Sequence, residues 1–325
     1  MLYIESPYTN PYTNLALEEY CFNQLDDDVF IIWQNDKTIV VGKYQNTVSE
    51  ISNMYVEQND IAVVRRLSGG GAVYHDLGNV NFSFIQQNSD NDMGFRFEHF
   101  TKDIISLLSG LDVKAEFNSR NDLVIDGRKF SGNSQYIKKG KILHHGTLLF
   151  DSNLETLVHA LNVSNKKIES KAIASVHERV TNIKPHLKTA ITVGQFKEYI
   201  KDYFTQVYHI KEYSFSHAEI QKIMDIAASR YKTWEWNYGS SPASLIKKED
   251  RSNAGQVEIY LDIQDGVLRD IKIFGDFFAF DHFEEALAEI KGKKYSPIEL
   301  RDSIYKLAHT IRGMDKEWLL HLIMD

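Results

Sequence analysis

Apolar positions recur along this chain with two periods, and the switches between them mark out its elements. Val29–Trp33 and Thr38–Val41 are apolar, β-branched runs that predict buried strands, joined through Asn35-Asp36. Ile61–Val64 is a third such run, and Asn79–Phe84 alternates polar and apolar side chains as a half-buried strand does. Leu15, Glu18, Phe22 and Leu25 fall at helical spacing behind Thr13, which is read as the cap; residues 48–57 carry a weaker helical pattern. Phe95–Leu108 again places apolar residues at helical spacing.

A meander of strands follows. Asp122–Ile125 runs into Asp126-Gly127, the strongest short signal for a hairpin turn. The return strand starts at Arg128, Lys139-Gly140 turns the chain once more, and Ile142–Phe150 closes the set. The pattern then becomes helical over Leu154–Leu161, Thr192–Tyr208 and Ser216–Tyr231, the last opened by a Ser216/Glu219 capping box. Helical spacing stops at Gly239-Ser240-Ser241-Pro242, and the mixed-charge run Lys247–Arg251 follows, so a domain boundary is expected within 240–252. Beyond it, Val257–Ile263 and Leu268–Phe274 form a hairpin about Asp265-Gly266. Asp281 and Glu284 can cap a helix, and Ser296-Pro297-Ile298-Glu299 opens another. The expectation is an α+β catalytic domain over 1–245 with a small α+β accessory domain over 246–325.

Length and composition narrow the function. At 325 residues the chain can hold about two domains. A net charge of −8 argues against a general nucleic-acid binder, though not against a local basic pocket. With one cysteine, Cys21, no intrachain disulfide can form. No apolar run has the length of a membrane span and the N-terminus lacks a signal-peptide pattern, so no membrane association and a cytoplasmic location are expected.

The densest chemistry lies in Arg65-Arg66-Leu67-Ser68-Gly69-Gly70-Gly71-Ala72-Val73-Tyr74-His75-Asp76. Consecutive glycines between strands cost chain entropy, and two readings compete: a tight turn, or backbone N–H groups brought close to an anion. Paired arginines favour the anion. The loop is neither a Walker A loop nor a Rossmann fingerprint, since Tyr74 stands where the third fingerprint glycine belongs. Lys129 lies just past a turn, where most lysines are merely solvated. His144 and His145 are adjacent on a strand and point to opposite faces, so they cannot readily share a metal; one is expected to pack and the other to face a site. Asp122 can hold a magnesium ion that arrives with a nucleotide, or simply end a strand.

Four segments, RRLSGGGAVYHDLGNVNFSF (65–84), NDLVIDGRKFSGNS (121–134), HHGTLL (144–149) and RYKTWEWNYGSSP (230–242), resemble the lipoate–protein ligase family in order and spacing. The resemblance implies a mixed, largely antiparallel sheet with helices mainly on one side. This is the fold of biotin–protein ligases and, more distantly, of class II aminoacyl-tRNA synthetases. It also implies ATP-dependent activation of lipoate to lipoyl-AMP, with Mg2+, and transfer to a lysine of an acceptor. The acceptors implied are lipoyl domains of 2-oxoacid dehydrogenase complexes, glycine cleavage H protein, or both. Carried over residue by residue, Lys129 contacts lipoate and nucleotide together. Arg66, Gly71, Ala72, Val73 and Tyr74 contact ATP, and Gly70, His75 and His145 join Lys129 at lipoate. The apolar acyl chain calls for a greasy tunnel. Val40, Val73 and Phe82 are candidates for its wall, with core packing as their ordinary role. The C-terminal domain is expected to act as a lid. A relative of the same fold that transfers octanoyl or lipoyl groups without ATP needs a cysteine nucleophile, and Cys21 lies far in sequence from both long motifs.

Overall fold

A computed structural model describes residues 1–87, 96–118, 121–161, 179–239, 244–275, 277, 279–280 and 282–325. The chain divides into two compact units. One comprises Met1–Lys43, Ala62–Val158 and Val163–Lys232; the other comprises Tyr44–Ile61, His159–Asn162 and Thr233–Asp325.

In the first unit the strands are β1 (Leu2–Glu5), β2 (Val29–Trp33), β3 (Thr38–Val41), β4 (Ala62–Arg65), β5 (Val73–His75), β6 (Asn79–Gln87), β7 (Ala115–Asn118), β8 (Asp122–Ile125), β9 (Arg128–Lys138), β10 (Lys141–Leu149) and β11 (Lys211–Glu212). Eight of them form one sheet in the order β11-β1-β2-β6-β10-β9-β8-β7, parallel only where β1 meets β11 and β2. The fold is therefore mixed and largely antiparallel, as the family resemblance implied. β4-β3-β5 form a separate small sheet, so β2 and β3, which are consecutive in sequence, belong to different sheets. The expected turns at Asp126-Gly127 and Lys139-Gly140 have positive φ at both residues, the backbone twist that tight hairpins need.

Alternation along the sheet separates its two faces. Phe30, Phe82, Phe84 and Phe130 point into an apolar cluster with Phe100 of helix Phe97–Ser109 and Phe204 of helix Val193–Tyr208. Trp33, Ser83 and His145 point to the other face, where helix Pro11–Gln24 brings Glu18.

That first helix is capped by Asn10, not by Thr13: the Asn10 side chain accepts from Thr13 N at 3.1 Å, and Pro11 opens the helix, where its missing N–H costs nothing. Leu25 lies just past the helix end in an extended conformation. The Ser216/Glu219 capping box forms as expected, and so does the Ser296 cap of helix Pro297–His309. Phe95 and Asp281 lie outside the described residues.

The second unit holds β12 (Ser244–Ser252), β13 (Gly255–Gln264) and β14 (Val267–Gly275), an antiparallel sheet in chain order. Helices Pro297–His309 and Lys316–Met324 pack on it through residues such as Leu300, Ile304 and Leu320. The charge run Lys247–Arg251, placed above in the expected boundary region, lies in edge strand β12; one face and one edge of such a strand are wet, and charge there discourages stray pairing. Two short helices, Thr47–Glu50 and Asn53–Gln58, belong with this unit. Val48 and Met54 join its core, Asn53 Nδ2 donates to Met324 O at 2.9 Å, and Arg301 pairs with Glu57 at 3.0 Å.

Replacing Asn10 by Ala leaves the N–H of Thr13 without its acceptor. It should lower unfolding free energy by about 1 kcal/mol in urea titration; an unchanged midpoint would contradict the cap assignment.

Candidate active site

The small sheet and the large one frame a cavity. Its lining includes the apolar Leu15, Trp33, Val40, Ala72 and Val73, and the polar Arg66, His75, Asn121, Lys129, Ser134 and His145. Two segments about 60 positions apart in sequence thus meet, which the motif spacing alone could not establish.

The glycine turn is built around Arg66. β4 ends at Arg65, and Arg66 N donates to Val41 O at 3.0 Å, holding the chain beside β3. The Arg66 side chain then turns inward and is 6% exposed. Its Nη1 donates to Val40 O at 3.2 Å, its Nη2 to Gly69 O at 2.6 Å and to Gly71 O at 2.8 Å, and its Nε to Ser68 Oγ at 3.1 Å and Gly69 O at 3.2 Å. Four of five N–H groups are thereby engaged by the loop and its neighbouring strand. The Arg66 guanidinium, implied above as an ATP contact, is closed on loop carbonyls in this structure. Burial pulls the guanidinium pKa down to about 10, so it stays charged.

With the carbonyls turned toward Arg66, none of the N–H groups of Gly69, Gly70 or Gly71 donates to another described residue. Gly70 has φ +91°, and its carbonyl lies where a Cβ on Gly42 would sit, 2.0 Å away. Side chains at 42 or 70 would force the turn off its seat. Ser134 Oγ donates to Gly69 O at 2.8 Å and ties the turn to β9.

Behind Arg66 runs a buried polar chain. Ser68 Oγ accepts from Arg66 Nε and contacts His145 Nε2 at 2.5 Å; His145 Nδ1 reaches Glu18 Oε1 at 2.9 Å. Ser83 Oγ donates to the same carboxylate oxygen at 2.6 Å and accepts from Trp33 Nε1 at 2.9 Å. Each proton finds a place if His145 carries its hydrogen on Nδ1 and accepts the Ser68 hydroxyl on Nε2. Glu18 thus faces the buried guanidinium through a histidine and a serine.

Lys129 is the second residue of β9, and its Nζ pairs with Asp122 Oδ1 at 2.7 Å. Gly132 makes room for it: a Cβ there would lie 3.0 Å from Lys129 Cε and Nζ. Asn121 and Asn133 clamp the neighbouring hairpin, with Asn121 Nδ2 donating to Asn133 O at 2.6 Å and Asn133 Nδ2 to Asn121 O at 2.9 Å. His144 supports this clamp from the other face of β10, stacked 4.9 Å from Phe100 with Nε2 3.2 Å from Asn133 Oδ1. The two histidines therefore divide as expected, His144 packed and His145 at the cavity.

Of the residues singled out in sequence, Arg66, Gly70, Gly71, Ala72, Val73, His75, Lys129 and His145 line the cavity. Tyr74 is buried on the opposite side of β5, as strand alternation between Val73 and His75 requires, and Asp122 reaches the site through Lys129. Val40 forms wall, whereas Phe82 packs in the core with His144. Sequence reasoning missed Glu18, Ser68 and Asn81. The signal for Glu18 was available: an acid on the apolar stripe of a helix. Among the described residues no group of three or more His, Cys, Asp or Glu could hold a metal. No described helix is long and apolar enough to cross a membrane.

Comparison with known proteins bears on this cavity. A family model described as the lipoyl protein ligase A/B catalytic domain matches residues 10–205, and one described as the bacterial lipoate protein ligase C-terminus matches residues 241–323. The chain is 42% identical to the lipoate-protein ligase LplJ of Bacillus subtilis, over 99% of this chain and 100% of that one. It superposes on a structure described as that of a bi-partite lipoate protein ligase and its E2 lipoyl domain from Thermoplasma acidophilum, with a TM-score of 0.67 and 26% identity over 75% of this chain and 98% of that one. A lipoate-protein ligase A bound with ATP gives a TM-score of 0.64 and 26% identity over 74% and 98%.

The two buried histidines give the site a pH signature. Burial, with Arg66 and His145 nearby, holds His75 down at about 3, and burial beside His145 and His99 holds His144 well below its ordinary value. Both are neutral in the folded chain and take up a proton on unfolding below pH ~6.5. Their contribution is complete above that pH and is lost as pH falls toward the folded values. Unfolding free energies from urea titration should therefore decline from pH 7 to pH 5, by up to about 1.4 kcal/mol per unit for each histidine; a flat profile would contradict the buried neutral state.

Proposed function

The chain belongs to the lipoate–protein ligase family, and on that premise we propose how its cavity carries out ATP-dependent lipoylation. The carboxylate of lipoate attacks the α-phosphorus of ATP, the bond to the β-phosphate oxygen breaks, and pyrophosphate leaves. The ε-amine of an acceptor lysine then attacks the acyl carbon of lipoyl-AMP, losing a proton as AMP departs. The acceptors proposed are lipoyl domains of 2-oxoacid dehydrogenase complexes and glycine cleavage H protein.

The observation that carries this reading is a cation on the cavity wall beside a turn whose amide hydrogens are uncommitted. A carboxylate and a polyphosphate repel each other. Lys129 between them neutralises the attacking oxygen and the charge growing on phosphorus. The N–H groups of Gly69–Gly71 add donors that need not reorganise. Arg66 holds that turn, and an incoming phosphate competes with Gly69 and Gly71 carbonyls for its fork. The apolar walls Leu15, Trp33, Val40 and Val73 suit an acyl chain and keep water from the anhydride. Magnesium takes one or two carboxylates and completes its shell with phosphate oxygens, so Asp122 alone suffices as its protein ligand; bound there, the ion would neutralise the departing pyrophosphate.

The cysteine-dependent transferase reading fares poorly. Cys21 is 0% exposed, and burial and the nearby Glu18 push its thiol pKa strongly up, the reverse of what a thiolate nucleophile needs.

Lys129→Ala should abolish lipoate-dependent ATP–pyrophosphate exchange, and the appearance of a lipoylated lipoyl domain by mass spectrometry, while the melting temperature stays put because the side chain is 39% exposed. Exchange at the wild-type rate would refute the role given to Lys129.

A further inference from the structure

Among the buried side-chain atoms of the cavity wall that find no partner in the described residues, His75 Nε2 has its protonation fixed from outside. Asn14 Nδ2 points at two backbone carbonyls, Gln34 O at 2.7 Å and Tyr8 O at 3.0 Å, which fixes that amide's orientation. The same nitrogen lies 2.9 Å from Asn35, whose facing atom must then be the acceptor Oδ1. Asn35 therefore turns its Nδ2 to His75, 3.2 Å from Nδ1, so that Nδ1 accepts. A neutral imidazole with an accepting Nδ1 carries its hydrogen on Nε2. His75 is 3% exposed, lines the cavity, and its Nε2 finds no hydrogen-bond partner among the described residues. The Trp33 ring lies edge-on 6.0 Å from the imidazole, and Leu15, Val40 and Val73 line the same cavity.

A buried donor without a partner is costly, and a chain of asparagines that holds it so indicates an acceptor supplied by the ligand. Beside the Trp33 ring and the apolar part of the lining, a weak, polarisable acceptor suits such a donor. We propose that His75 reads the tail of the acyl substrate, its Nε2–H donating to a ring sulfur of a dithiolane, and so favours a sulfur-bearing chain over a plain alkyl chain of the same length. This rests on the ligase reading above and adds selectivity to it. A methyl-terminated chain fills the cavity but leaves the donor dry and unpaired.

Two measurements on the full-length protein test this. In ATP–pyrophosphate exchange, the ratio of kcat/KM for lipoate to that for octanoate should fall roughly five- to tenfold in His75→Leu, the usual worth of one buried hydrogen bond. It should recover in part in His75→Gln, whose amide keeps a donor. In 15N NMR of the wild-type chain, His75 should appear as the neutral Nε2–H tautomer, and its Nε2 resonance should move on adding lipoate and stay in place on adding octanoate. An unchanged ratio in His75→Leu, hydrogen on Nδ1, or equal shifts with both acids would each overturn the proposal. Absence of exchange with either acid would sink the adenylation reading instead, and the NMR arm would still decide the role of His75.

Discussion

A charged guanidinium held away from water must find oxygen partners, and much of this site follows from how Arg66 finds them. The chain curls through Ser68, Gly69, Gly70 and Gly71 to bring two carbonyls and a hydroxyl onto one side chain, with Val40 supplying another carbonyl from β3. Such curvature needs positive φ at Gly70 and a bare backbone at Gly42 where the strands meet. Turning carbonyls inward leaves amide hydrogens outward, so the same constraint that satisfies the arginine prepares a surface for an anion.

The polar chain behind Arg66 extends this logic into the sheet. Glu18 comes from the first helix, Ser83 from β6, His145 from β10 and Ser68 from the turn, and their hydrogen bonds share one consistent direction. Half-satisfied buried networks are costly, and this one closes. It gives the buried positive charge a distant carboxylate partner while keeping that carboxylate out of the cavity, where it would repel acid substrates. Lys129 stands on a separate hairpin, and its pairing with Asp122 holds it near the turn without a fixed partner in the core.

The sequence made much of this legible, for identifiable reasons. Val29–Trp33 and Thr38–Val41 were readable because buried strands concentrate apolar, β-branched residues, and the hairpin at Asp126-Gly127 because few residues accept positive φ. The short strand Val73–His75 was hidden under the glycine motif, and β12 was hidden by its charges. The cap at Asn10 was masked by Thr13, a plausible cap one turn too late. Candidate site residues were found where their chemistry was unusual in place. Ser68 and Asn35 escaped because their roles depend on partners from distant segments, which local pattern does not reveal.

The most direct test of the account is the lifetime of the Arg66 Nε–H proton, followed by arginine-selective 15N NMR after transfer of the unliganded protein to deuterated water. A guanidinium enclosed by Ser68 and the glycine-turn carbonyls should keep this signal long after that of Arg269, whose side chain is 51% exposed, has vanished. Loss of both signals at the same rate would mean that Arg66 is open to solvent and that the turn is not built around it.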